Sequence, residues 1–370
     1  MSKHNAANER IKRDYVRYLA EAKGRDGSTI DGVLKSLARF EESTRRRDFK
    51  SFHREQAVAF KRQLSEASNA RTGDRLSKAT VLSTLRDLRA FFFWLAHLPG
   101  YKSHIAYSDA DYFNLSDKDV AIARARREKR VPTLAQVELV LSNMPAQTPV
   151  QRRNRGLIAF AAITGARVAA LASLRLGDVN IADGYVDQDA RHVRTKFSKT
   201  FRTYLMPVSD LAMGIAKQWH AELSADPTRG PDDVLFPATM TAVGDQGMFA
   251  PHGLSIHGWS TSGPIREIFR LAFTSAGLPY FNPHSLRDML VRHIMALDLP
   301  AETLKSLSQN LGHQSLLTTL TSYGSVPAHR QGELIKQGLK RRQSMPGVAD
   351  PNLVATLVQA LQESKDLSSL

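Results

Sequence analysis

Apolar residues recur at helical spacing through residues 11–23, 30–43 and 53–68. The pattern is clearest in 77–98, SKATVLSTLRDLRAFFFWLAHL, where Val81, Leu82, Leu85, Leu88, Phe92 and Leu95 follow it. Ser77 is placed to cap that helix, and Pro99-Gly100 ends it. Residues 1–115 therefore predict a helical domain. The stretch 116–132, SDKDVAIARARREKRVP, is charged, ends in proline and reads as an interdomain linker. Helical patterning restarts at Thr133, which with Gln136 forms a capping box before the apolar run VELVLSNM. In RGLIAFAAITGARVAALASLRLGDVNI (155–181) a helix breaks at Thr164-Gly165, and a second runs to about Leu174. Residues 185–207 switch to a β pattern. His192–Lys196 and Thr203–Met206 are the predicted strands, with Phe197–Arg202 turning between them. Segment 225–263 is rich in Gly, Pro and Asp and reads as loop, Pro264 to about Ala276 as a helix ending at Gly277, and the chain from 284 onward as helix. Asp350-Pro351 opens a last amphipathic piece with Leu353, Val354, Leu357, Val358 and Leu361 on one side. The expected fold class is mainly α with a small antiparallel β-sheet: a helical domain over 1–115, a linker over 116–132, a second domain over 133–340, and a tail over 341–370 with a short amphipathic helix.

Composition narrows the function. At 370 residues the chain exceeds one ordinary core. No run of 18 apolar residues occurs, and the start, MSKHNAANERIKRDY, lacks the apolar core of a signal peptide, so a cytoplasmic protein without a membrane span is expected. With no cysteine, disulfides, thiolate catalysis and Cys-based zinc sites are excluded. The net charge is +15 and most of the surplus lies in residues 1–130. A basic, Arg-rich domain suggests a polyanion, most often nucleic acid. Candidate contacts are Arg86 and Arg89 on the 77–98 helix and Arg124, Arg126, Arg127, Lys129 and Arg130 in the linker. Each could equally be a solvated face, and a ribosomal, RNA-binding or anionic-membrane protein would have a similar balance.

Four places in residues 131–330 put reactive or cationic side chains at element ends. Arg167 follows the Thr164-Gly165 break. Lys199 sits in the turn FSKTFR. His284 and Arg287 lie in NPHSLRDML at i and i+3 of a helix start, so both can face one way. His313 and Tyr323 bound LGHQSLLTTLTSYG, a Gly-His turn, a short Thr-rich stretch and a tyrosine. Singly, each has an ordinary explanation: an Arg167–Asp178 ion pair, a solvated turn lysine, helix-end contacts for the histidines, a core tyrosine. Together they suit attack on a phosphodiester without a metal. Two guanidinium groups grip non-bridging oxygens and strengthen as charge builds. A tyrosine hydroxyl needs a base or a positive field to become a nucleophile. The leaving sugar oxygen needs a proton, which a lysine can donate. A phosphotyrosine stores the bond energy, so rejoining needs no ATP. The sequence has no HExxH, no DxDxDG loop and no GxxxxGK[ST], and no cofactor is expected.

At these residues the chain resembles the tyrosine recombinase (phage integrase) family. TGARVAALASLRLGDV resembles the family's first-arginine box, with the arginine at Arg167. SKTFRTYLMP resembles its β-hairpin lysine segment, with the lysine at Lys199 and Pro207 after it. Lys196, in RTKF, is the rival. HSLR resembles the His-x-x-Arg box, and LGHQSLLTTLTSYG the Leu-Gly-His box with its downstream nucleophile, although the interval from His313 to Tyr323 is one residue longer than is usual. Motifs carry the resemblance over roughly 133–330, and pattern alone over about 10–115. It implies a helical core-binding (SAM-like) domain and an α-rich catalytic domain that together clamp duplex DNA. It also implies catalytic residues Arg167, Lys199, His284, Arg287 and His313, with Tyr323 as nucleophile. Tyr323 would form a 3′-phosphotyrosine, Lys199 would protonate the leaving 5′ oxygen, and His284 would serve as base. The partners it implies are double-stranded DNA, a tetramer on two DNA sites, and sister recombinases or a directionality factor. The tail over 350–364 would dock on a neighbouring protomer or pack on its own domain. A type IB topoisomerase would share nearly the same set. So would a silent DNA-binding regulator or accessory subunit on the same fold.

Overall fold

A computed structural model describes residues 4–69, 73–125, 130–243, 248–297 and 299–312. The chain splits into two compact units, Met1–Arg127 and Glu128–Leu370.

The first unit is helical: α1 (Ala6–Arg17), α2 (Gly27–Ser43), α3 (Arg54–Glu66), α4 (Lys78–Ala96) and α5 (Asp117–Arg124). All of these helices but α3 are capped at the start by a side chain. Asp26 Oδ1 accepts the Thr29 N–H at 2.9 Å, and the Ser77 hydroxyl accepts the Thr80 N–H at 3.1 Å, each cap contributing about 1 kcal/mol. The core is aromatic. Phe40 meets Phe52, Phe60, Phe92 and Phe113 edge-on at 5.2–5.9 Å, an arrangement the ring quadrupoles favour. The face of α4 read from the sequence is the buried one, except that Leu82 stays half-exposed and Phe91 joins the core. Residues 117–124, part of the expected linker, form α5, and a 2.8 Å Lys78–Asp119 ion pair ties α5 to α4.

The second unit holds α6 (Leu134–Asn143), α7 (Pro149–Thr164), α8 (Val168–Leu171), β1 (Val179–Asn180), β2 (Tyr185–Gln188), β3 (Phe201–Tyr204), α9 (Asp210–Ser224), β4 (Thr239–Val243), β5 (Phe249–Leu254), α10 (Gly263–Ser275), α11 (His284–Met295) and α12 (Ala301–Asn310). Both hydrogen bonds of the Thr133–Gln136 capping box are formed. Helix α7 is the central element, buried without a break from Gly156 to Thr164. Gly156 admits α9 at close range, because a Cβ there would lie 2.6 Å from Trp219 Cγ. Arg153, 1% exposed, lies under the core with its guanidinium 4.6 Å from the Trp259 ring. It donates to the Pro237 carbonyl and to Thr239 Oγ1, fixing the base of the β4–β5 hairpin to α7. Burial alone lowers its pKa to about 10, so it stays charged at neutral pH.

Strands β1, β2 and β3 form one antiparallel sheet in that order, with Val186 opposite Thr203 and Gln188 opposite Phe201. The expected strand over His192–Lys196 does not form. Its alternation comes from a strap. Val193 is buried, His192 Nε2 sits 2.6 Å from Asp178 Oδ1, and the Arg194 guanidinium donates to the Ala172, Trp259 and Ser260 carbonyls. The partner of β3 is instead β2. The segment expected to be loop, 225–263, contains the β4–β5 hairpin. Pro251 and Gly253 lie inside β5, opposite a register shift at Met240/Thr241, a setting where an edge strand tolerates both residues. The amphipathic tail over 350–364 lies outside the described residues. No described helix is long and apolar enough to cross a membrane.

Candidate active site

The end of α7 sets the first locus. The Thr164 hydroxyl donates to the Phe160 carbonyl at 2.6 Å and accepts the Ala166 N–H at 3.2 Å. Gly165 then takes a left-handed φ of 61°. A side chain there would be strained and would also collide, since a Cβ would lie 2.9 Å from Leu311 Cδ2 and 3.1 Å from Leu290 Cδ1. The turn brings Arg167 to the N-terminus of α8, half-buried. The ion pair with Asp178 is absent. Asp178 instead accepts the Arg175 N–H at 2.7 Å and faces His192.

Lys199 comes from the β2–β3 connection and is half-buried just before β3. Burial, then the positive charges of Arg167 and Lys196, push its pKa below the ordinary lysine value. Arg167 and Lys199 therefore share one electrostatic neighbourhood, and a lysine lowered in this way is a better proton donor at neutral pH. Lys196 is exposed.

Helix α11 opens with His284, exposed, whose N–H donates to Asn282 Oδ1 at 3.0 Å and whose Nε2 lies 3.9 Å from Asp288 Oδ1. One turn on, Arg287 is 3% exposed. Its guanidinium donates to the Gly165 carbonyl at 3.0 Å and to the Leu311 carbonyl. One side chain thus clamps the turn before Arg167 to the end of α12. Gly312 closes α12 with φ 68° against the Phe201 ring, where a Cβ would lie 2.6 Å from Cζ. The strand that follows Lys199 and the residue that precedes His313 are therefore in contact.

Sequence reasoning missed the joint between α12 and the sheet. Asn310 Oδ1 accepts the Tyr204 N–H at 2.5 Å and its Nδ2 donates to the Tyr204 carbonyl at 3.0 Å. The buried Thr203 hydroxyl donates to the Asn310 carbonyl at 3.0 Å and accepts from Gln188 Nε2 at 2.8 Å. The available signal was polar residues, Gln188, Thr203 and Asn310, at positions the fold buries.

The structure thus brings together Arg167, Lys199, Arg287 and the residues leading into His313, with His284 on the first turn of the Arg287 helix. His313 and Tyr323 lie outside the described residues. Of the expected DNA contacts, Arg86, Arg124 and Arg130 are exposed. Arg89 is bonded to Asp111 at 2.7 Å and 3.0 Å and lies over the Phe93 ring. Arg126, Arg127 and Lys129 are outside the described residues. No group of three or more His, Asp or Glu side chains among the described residues could hold a metal ion.

Residues 131–329 match the phage integrase family. The chain belongs to that family. It is also similar to the tyrosine recombinase XerD of Listeria innocua, 23% identical over 333 residues that cover 88% of this chain and 96% of the relative. Among solved structures, a lambda integrase (75–356) dimer bound to a COC′ core site aligns with a TM-score of 0.57 at 14% identity, covering 86% of this chain and 96% of the other. A lambda integrase tetramer bound to a Holliday junction aligns with a TM-score of 0.55 at 15% identity, covering 88% and 81%. At such identities the structural likeness shows the fold, which is the mainly α class with a small antiparallel sheet expected from the sequence.

Proposed function

We propose that this integrase-family chain is a site-specific DNA recombinase that cuts and rejoins strands through a 3′-phosphotyrosyl bond, without metal or ATP. The observation that carries the reading is the Arg287 clamp on the Gly165 and Leu311 carbonyls, because it joins three separate motifs into one site. In the reaction Tyr323 Oη attacks a DNA phosphate and the bond to the 5′ oxygen breaks. Arg167 and Arg287 hold the non-bridging oxygens as charge develops on them. Lys199 protonates the departing 5′ oxygen, and its lowered pKa supports that assignment over Lys196. His284 accepts the tyrosine proton and returns it when the strand is rejoined. His313, next in sequence to Gly312, donates to the phosphate. Duplex DNA is contacted by the core-binding domain and by the catalytic domain, with the basic stretch around 124–130 following its backbone. The relatives bound to a core site and to a Holliday junction support a complex of four copies on two DNA sites.

Covalent trapping tests this. The protein and its Tyr323→Phe variant are incubated with labelled, nicked duplexes tiling the DNA that flanks the gene, then run on a denaturing gel. The expected result is a slow, protease-sensitive adduct with the wild type alone, its label marking the cut. DNA bound without an adduct would instead support a silent regulator. An adduct that survives Tyr323→Phe would mean another nucleophile.

A further inference from the structure

Phe197 is 77% exposed, more than any other large hydrophobic residue described. It holds a left-handed backbone (φ 62°, ψ 27°), and Ser198 after it does the same at φ 49°. Side chains avoid that region, so two successive residues there mean that the flanking structure imposes the conformation. The flanks are firmly held. Val193 is buried on one side, the Thr200 hydroxyl accepts the Ala190 N–H at 3.1 Å, and Phe201 is wedged against Gly312. A rigid frame thus pushes an aromatic ring into solvent at a cost to folding.

The ring's surroundings are cationic. Lys196 Nζ lies 4.7 Å and Lys199 Nζ 5.7 Å from its centre. The nearby carboxylates are already neutralised, Asp187 by Arg202 at 2.8 Å and 3.0 Å, and Asp189 by Arg191. Among the described residues no carboxylate pairs with Lys196, Lys199 or Arg167. An exposed ring between unpaired cations fits a nucleobase beside its phosphate, because bases offer π-faces to stack on and phosphates take up the charge.

We infer that Phe197 is a DNA wedge, which enters the base step next to the phosphate attacked by Tyr323 and unstacks it. This rests on the recombinase reading, since an ammonium at the leaving oxygen sets the ring against the adjoining nucleotide. Phe197 is then a positioning residue. It opens the step so that the cleaved strand is aligned and its end is free to leave for the partner duplex.

The test uses the full chain and the nicked duplex whose cut has been mapped by trapping. 2-Aminopurine replaces each base flanking the cut in turn. Wild type and Phe197→Trp are expected to raise 2-aminopurine fluorescence at one step on binding. Phe197→Ala is expected to bind with an unchanged salt dependence, to lose the fluorescence rise, and to form adduct about tenfold more slowly or worse. A mismatch at that step, which removes the unstacking cost beforehand, is expected to bring the Phe197→Ala rate back towards wild type. The inference is overturned if Phe197→Ala cleaves and brightens like wild type, or if the mismatch rescues nothing. It is also overturned if single sites are cleaved normally and only paired-site complexes are lost, since the ring would then contact protein. No adduct from the wild type would remove the recombinase reading itself. Wild-type cleavage with an indifferent Phe197→Ala would remove the wedge alone.

Discussion

Asn310→Ala tests the joint that ties the end of α12 to the sheet. The Asn310 carboxamide behaves as a short strand, offering an acceptor to the Tyr204 N–H at 2.5 Å and a donor to the Tyr204 carbonyl at 3.0 Å. Asn310 is 8% exposed. Truncation leaves both backbone groups of Tyr204 without these partners. A buried group so orphaned costs about 1–3 kcal/mol. The two groups belong to one residue whose ring is exposed, so water reaches part of the gap, and the expected sum is about 2–3 kcal/mol. Urea unfolding reads this directly. Trp219 and Trp259, both buried, report the second unit, and Trp94 reports the first. The second-unit midpoint is expected to fall with an unchanged m-value while the first transition stays put. Adduct formation is expected to slow even at low temperature, where the protein is fully folded. A second-unit loss under about 0.5 kcal/mol, the range of an ordinary surface substitution, would refute the claim that this carboxamide anchors α12.

Three further outcomes follow from the same geometry. Gly165→Ala meets both a positive φ and the Leu311 and Leu290 methyl groups, and is expected to cost about 2–3 kcal/mol in the same unfolding experiment. In its proposed role as general acid Lys199 would work only while protonated, so adduct formation is expected to decline as pH rises through its lowered pKa. Lys199→Arg, whose side chain does not titrate, should move that decline to higher pH or abolish it, and a pH–rate profile checks the shift. On DNA, Arg86→Gln is expected to reduce the slope of log affinity against log salt by about one. Arg89→Gln should reduce it by less, because Asp111 already holds that guanidinium, and salt-titrated binding separates the two.

What the sequence disclosed was whatever a short window can encode. The α4 face, the Thr133–Gln136 box and the stop at Thr164-Gly165 are local patterns of burial, capping and left-handed backbone. The candidate site residues stood out because their types suit one chemistry and occur in one order. The sheet was harder. A strand is defined by its partner, and the partner of β3 turned out to be Tyr185–Gln188 rather than His192–Lys196. Val193 alternates with polar neighbours because it plugs the core from a strap, which period alone does not separate from a ladder. The β4–β5 hairpin was hidden by Pro251 and Gly253, which an edge strand accepts. Asn310 and Phe197 were invisible for opposite reasons. One is a polar residue buried by contacts over a hundred positions away, and the other is an apolar residue held out by strain.

The way the site is held together bears on how it would work. Its loci meet through backbone carbonyls, glycines and a carboxamide: Arg287 on Gly165 and Leu311, Gly312 on Phe201, Asn310 on Tyr204. None of these contacts places a carboxylate on Arg167 or Lys199. Had Asp178 paired with Arg167, the corner would have gained some stability and lost much of the field proposed to activate a tyrosine and hold a phosphate. Asp178 is instead engaged by the Arg175 N–H and His192, Asp187 by Arg202 and Asp189 by Arg191. The acids of the sheet and its flanks are thereby occupied, and among the described residues no carboxylate pairs with Arg167 or Lys199. Such an arrangement would cost folding stability and favour binding of a phosphate, so relieving it should separate the two properties. A carboxylate introduced beside Lys199, as in Thr200→Asp, should raise the Lys199 pKa, leave the unfolding midpoint equal or higher, and depress adduct formation. If adduct formation were undiminished, the field at Lys199 would not be what drives the chemistry.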